Sequence, residues 1–176
     1  MKIVTIFANK LYAVQYKNQQ LNEYKRIIEY WSDPELVETF LIDNQEDLPD
    51  GITIFKALHF IQEEIDLIND KIDEIIHDPS KSLDQFFAPL NNHEYQERRL
   101  SQRKGKADIN RTKYLRLYAI RIEPNMYVIT GGAIKLPLQH MMDEKSHTKK
   151  ELEKLNKIKD YLKENGVLVM IRFMNS

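Results

Sequence analysis

The sequence predicts an α+β fold, a small and mainly antiparallel twisted sheet packed by helices on one side, in a single domain of 176 residues. Three observations carry this expectation. Residues 114–135, "YLRLYAIRIEPNMYVITGGAIK", read as two β-rich runs joined by a Pro-Asn turn. Residues 54–76 carry an apolar seam at helical spacing. Shorter stretches with the same period occupy residues 20–31 and 148–162.

In chain order, "KIVTIF" at residues 2–7 predicts a first strand, its apolar run being too short for a signal-peptide core. Leu21, Tyr24, Ile27, Ile28 and Trp31 then fall on one helical face. Asp33 can cap a second helix, with Pro34 in its first position and Leu36, Val37, Phe40 and Leu41 following. The polar stretch "NQEDLPDG" breaks the chain before the longest helix. The seam of that helix is Ile54, Leu58, Ile61, Ile65, Ile68, Ile72 and Ile75, in alternating steps of four and three. Glu63, Glu64, Asp66, Asp70, Asp73 and Glu74 lie off it. Such a seam needs a helical partner, either another helix of the same chain or a second copy in a homodimer.

"HDPSKS" ends this helix. "YQERRLS" predicts a further strand, and the hairpin follows, turning at Pro124-Asn125. Gly131-Gly132 reads as a strand end where a tight turn needs permissive φ. Thr148 and Glu151 have capping-box spacing, ahead of a helix through Leu152, Leu155, Ile158, Tyr161 and Leu162. Gly166 sits where a C′ glycine belongs. The apolar "VLVMIRF" reads as a strand or a docked tail.

Composition narrows the function. Hydrophobic residues make up 42% of the chain, enough for a core, and no run of eighteen apolar residues exists, so no membrane span is expected. The absence of cysteine excludes disulfides, thiolate metal sites and cysteine nucleophiles, and fits a reducing cytoplasm. The net charge of −1 hides an asymmetry. From Arg98 to Lys113 the chain holds seven Lys/Arg and one Asp, a local +6, which leaves −7 for the rest. A basic patch on an acidic chain either attracts a polyanion or is a solvated loop. His59, His77, His93, His140 and His147 show neither HxxxH nor HExxH spacing, so no zinc site and no cofactor is expected. His140, Asp143 and His147 read as solvated loop residues. There is no P-loop, dinucleotide fingerprint or nucleophile elbow.

The hairpin carries the chemistry. Strand alternation puts Tyr114, Arg116, Tyr118, Ile120 and Ile122 on one face. Leu115, Leu117, Ala119 and Arg121 take the other, which is expected to face the core, with Arg121 escaping near the turn. An arginine between two tyrosines can hold a phosphate while the rings stack on bases or donate a hydroxyl. The alternative is a structural ion pair with the arginine stem packed along the aromatics.

The order "APL…Y…R.LS..K.K…KYLRLYAI…N.YVITGGAIK", with a helix after it, resembles the HigB/RelE-like branch of the RelE/ParE toxin superfamily. "YKRIIEYWSDPELVETF" is similar to the two-helix hairpin at the start of that branch. The resemblance covers about residues 2–42 and 83–162 and makes the helix at about 50–80 an insertion. It implies a small twisted sheet packed by helices, a toxin paired with an antitoxin protein, and endoribonuclease action on ribosome-bound mRNA without metal. Carried over by position, Arg116 looks like the phosphate-binding arginine, Lys135 like the lysine after the last strand, and Tyr118 like an acid/base group. Arg99, Arg103, Lys104, Lys106 and Tyr114 would bind RNA. Leu136-Pro137 stands where the family carries its second basic residue, which leaves open a catalytically inactive, RelE-like binding module.

Overall fold

A computed structural model describes residues 1–89, 95–99, 114–139 and 145–166. Its strands are β1 (Lys2–Phe7), β2 (Leu11–Gln15), β3 (Ala88–Pro89), β4 (Tyr95–Arg99), β5 (Leu115–Glu123) and β6 (Met126–Ile134). Its α-helices are α1 (Glu23–Ser32), α2 (Pro34–Asp43), α3 (Ile54–His77) and α4 (Ser146–Glu164). The strands form one sheet in the order β1-β2-β6-β5-β4-β3. Four neighbouring pairs are antiparallel and β2 runs parallel to β6. The α+β class and the mainly antiparallel sheet are therefore as expected. No described helix is long and apolar enough to cross a membrane.

Two expectations are corrected. Helices cover both faces of the sheet, not one. On the first face Leu11, Ala13, Leu115, Leu117 and Ile129 pack with α1, α2 and α3. On the second, Val14, Tyr118, Ile120 and Val128 pack with Leu155, Ile158 and Leu162 of α4. The hairpin has large apolar side chains at odd and even positions alike, so each face needs a cover. The second correction is β2, absent from the sequence reading. Asn9, at φ 66, turns the chain back after β1, and Leu11 to Val14 are fully buried in the sheet interior. A four-residue apolar run does not alternate, because both of its faces are covered.

The helices follow their local signals. Asp33 accepts hydrogen bonds from the amides of Glu35 and Leu36, and Pro34 opens α2. Gly166, at φ +57, follows the C-cap Asn165 of α4. The capping box does not form. Lys145 is the N-cap, and Thr148 Oγ1 donates instead to the Lys145 carbonyl and accepts from Gln139 Nε2. The hairpin turns at Pro124-Asn125, with Asn125 at φ 62. Asp84 anchors its tip, accepting from Arg121 Nε at 2.9 Å, the Tyr127 hydroxyl at 2.5 Å and the Asn125 amide at 3.0 Å.

The α3 seam finds its partner within the chain, against α1 and α2. Ile61, Ile65, Ile68, Ile72 and Ile75 are buried there, so a homodimer through this seam is not what covers it. Ile65 is 3% exposed, and Ile65→Ala is expected to cost about 2–5 kcal/mol by leaving a cavity. A melting temperature equal to that of the parent chain would refute this packing. Glu64 is also buried, although it was assigned to the polar side of the helix.

Candidate functional site

The described residues hold two clusters of polar side chains that a ligand could use. One is the basic strand end named from the sequence. The other appears only in the fold.

The first cluster begins where β5 enters the sheet. Glu64 of α3 receives the Tyr114 amide at 2.9 and 3.1 Å and the Leu115 amide at 2.9 Å. Lys135 donates its amide to the Tyr114 carbonyl at 2.7 Å, which extends the β5–β6 ladder by one step. Arg116 then stands opposite Ala133 of β6 and opposite Arg99 of β4. Three adjacent strands thus bring Arg99, Arg116 and Lys135 to one end of the sheet. Arg116 is 9% exposed and its Nη1 donates to the Leu115 carbonyl, whereas Lys135 is half-buried.

Tyr118 lies on the face opposite Leu115 and Leu117, the face that strand alternation shares with Arg116, whereas Tyr114 departs from it. Tyr114 precedes β5 and stacks on Phe60 of α3, with centroids 6.3 Å apart. Tyr118 packs in the α4 layer, and both tyrosines are 0% exposed. Arg99 belongs to β4, while Arg103, Lys104 and Lys106 lie outside the described residues, as does "VLVMIRF".

The second cluster lies where β2 stops. It pairs with β6 only through Ile129, so the following stretch of β6 has no strand on that side among the described residues. There α1 and α4 close in from opposite faces, and they need glycine to do so. Gly131 and Gly132 lie inside β6, not at its end, and neither has positive φ. A Cβ on Gly131 would meet Glu151 of α4, and one on Gly132 would sit 2.9 Å from the Trp31 ring of α1. The paired glycines serve close packing on both faces, which corrects the reading of a turn.

A cavity of about 170 Å³ opens beside this edge, lined among others by Arg26, Tyr30, Trp31, Gly132, His147 and Glu151. Charged groups are dense around it. Glu23 is fully buried and receives a forked pair of bonds from Arg26, at 2.7 and 2.8 Å. Lys154 joins Glu23 and Glu151, each at 2.9 Å, and lies 5.2 Å from the Tyr16 ring centroid. Tyr16 donates its hydroxyl to the Thr130 carbonyl at 3.1 Å.

The two carboxylates titrate in opposite directions. Burial alone would raise the Glu23 carboxyl, but the Arg26 fork and Lys154 outweigh it and hold it below its ordinary value. Burial dominates at Glu151 and pushes it up, with Lys154 opposing only in part. Its Oε2 is buried without a hydrogen bond. Burial also lowers His147, which donates from Nε2 to the Ile134 carbonyl at 3.0 Å and meets the Phe40 ring edge-on. It is a half-buried residue of the first turn of α4, not a solvated loop residue.

A pH dependence follows. The folded-state value of Glu151 lies above the unfolded one, so its favourable contribution is present at low pH and lost as pH rises through the folded value. Glu151→Gln should therefore melt at or above the parent chain near about pH 7, with the gap closing toward about pH 4. A variant destabilised at neutral pH would show that the ionised carboxylate is favourable.

The sequence pointed to none of Glu23, Arg26, Glu151 and Lys154 as a cluster. Each pair is an ordinary i,i+3 spacing on its own helix, and nothing local says that the helices meet. Among the described residues no group of three or more His, Asp or Glu could hold a metal ion. No protein-family model matches the chain, and no curated protein and no solved structure is significantly similar to it.

Proposed function

We propose that this protein is a RelE/HigB-like toxin, an endoribonuclease that cuts mRNA without metal and is held in check by an antitoxin protein. The observation that carries the reading is the register that sets Arg99 opposite Arg116, with Lys135 at the end of the next strand. In the sequence, Arg99 belongs to the basic run from Arg98 to Lys113. Adjacent strand positions that carry arginine and lysine suit a polyanion, since these side chains make charge-assisted hydrogen bonds to phosphate oxygens.

In the proposed reaction the ribose 2′-hydroxyl gives its proton to water as its oxygen attacks phosphorus, and the bond to the 5′-oxygen breaks. The products are a 2′,3′-cyclic phosphate and a 5′-hydroxyl. Arg116 holds the phosphate as charge develops on it, and Lys135 gives a proton to the leaving oxygen. Tyr118 has a packing role in this scheme, because its hydroxyl is enclosed in the core.

The burial of Tyr114 and Tyr118 favours a second reading, a catalytically inactive RelE-like module that binds RNA or an antitoxin-like protein. Induced expression of the intact chain in a bacterial host separates the two. The enzyme reading expects growth arrest and new 5′-hydroxyl ends in mRNA mapped by primer extension. Unchanged growth with intact mRNA would overturn it in favour of the binding module.

A further inference from the structure

The cavity beside β6 is a slot with an unused strand edge along one side. The Lys135 amide points toward β5, and the Ile134 carbonyl points away from it to His147. Backbone groups alternate sides along a strand, so the N–H and C=O of Gly132 also point away from β5, into the slot. No hydrogen bond from a described residue reaches either, and Gly132 is partly exposed. The edge is open for one residue only. Tyr16 occupies the Thr130 carbonyl on one side of Gly132, and His147 occupies the Ile134 carbonyl on the other.

A charge and an apolar recess complete the slot. Glu23 holds Arg26 through Nε and Nη2, which leaves Nη1 without a hydrogen bond to a described residue, on a side chain that is 36% exposed. Arg26 lines the cavity and stands at its Thr130 end, because Glu23 also receives Lys154, and Lys154 lies over the Tyr16 ring. The recess is lined by Ile27, Ala133 and Ile134, with half-buried Tyr30 and Phe40 toward solvent. Its volume of about 170 Å³ suits one large apolar side chain, since an apolar cavity of about 150 Å³ holds benzene.

We propose that the slot captures the C-terminus of a protein chain that ends in a large apolar residue. The terminal residue pairs antiparallel with Gly132 and donates its N–H to the Gly132 carbonyl, as an added strand does. Its carboxylate accepts from the Gly132 N–H and from Arg26 Nη1. Its side chain fills the recess. Direction and length agree with a chain end. A strand antiparallel to β6 runs toward Thr130, where Tyr16 stops the ladder and Arg26 meets the last carboxylate. The inference stands apart from the endoribonuclease reading.

Trp31 is the single tryptophan of the chain and lies against Gly132, so its fluorescence reports occupancy of the slot. The probe is an acetylated glycine-serine hexapeptide that ends in phenylalanine with a free carboxylate, titrated into the intact chain. It is expected to bind one to one. The same peptide with a C-terminal amide should bind about 10- to 100-fold more weakly, the usual loss with a hydrogen bond to a charged group. Glycine in place of the terminal phenylalanine should weaken binding by a similar factor, about 10- to 100-fold. Arg26→Gln should bring the acid down to the affinity of the amide and leave the amide unchanged. Arg26 also holds buried Glu23, so the peptide series, which needs no substitution, decides the matter if that variant does not fold. No binding of the acid at millimolar concentration overturns the proposal, as does equal affinity for acid and amide in the parent chain. 3-Phenylpropionate has the ring and the carboxylate without the peptide N–H. If it binds as tightly as the hexapeptide, the slot takes a small carboxylate and the chain-end assignment falls.

Discussion

On the proposed endoribonuclease reading, Arg116→Ala should abolish growth arrest on induced expression and lower the rate of RNA cleavage about 10²–10³-fold, the usual loss when a group that stabilises transition-state charge is removed. The physical basis is position. By register Arg116 lies between Arg99 of β4 and Lys135 just after β6, and an arginine can bind a phosphate by charge-assisted hydrogen bonds. Arg116→Lys keeps the charge and loses the fork, so it should recover only part of the rate. Because Arg116 is 9% exposed, its removal can also loosen the sheet. Lys135→Ala guards against that outcome: the side chain is half-buried at a strand end, so it should slow cleavage with little change in melting temperature. Full cleavage by both alanine variants would remove the basic strand end from catalysis.

Glu64→Ala is expected to lower stability by about 2–6 kcal/mol. It strips the carboxylate from the Tyr114 and Leu115 amides, and each buried donor left without an acceptor costs about 1–3 kcal/mol. The carboxylate also ties α3 to the first residues of β5, so its loss should free the strand end that carries Arg116. Urea denaturation would read the stability loss, and faster hydrogen exchange at the Tyr114 and Leu115 amides would localise it. Glu64→Gln retains one acceptor oxygen and should lose less. An unchanged urea midpoint in Glu64→Ala would mean that water replaces the carboxylate at no cost.

Glu64 shows where sequence reading stops. Its side chain lies off the strict four-three seam by one position, and acidic neighbours at Glu63 and Asp66 make it look solvated. It faces inward because two amides fifty residues further along the chain need an acceptor there. Glu151 and Gly131-Gly132 are similar cases. A Thr-x-x-Glu spacing and a glycine pair each carry a common local meaning, a cap and a turn. Both meanings gave way when α4 settled on β6 and needed room.

The sequence by itself determined the elements with strong local causes. Helices α1 to α3 follow from apolar spacing and the Asp33-Pro34 start, the β5–β6 hairpin from its β-rich runs and the Pro124-Asn125 turn, and the end of α4 from Gly166. These depend on residues within about four positions of one another, the reach of a helical turn or a tight turn. The tertiary structure alone decided the parallel pairing of β2 with β6, the cover on both sheet faces, and the slot at Gly132. It also decided that Glu23 meets Lys154 across 131 positions of the chain. Such contacts form only when distant segments bury their apolar faces together, and burial is a property of the closed chain that no local spacing encodes.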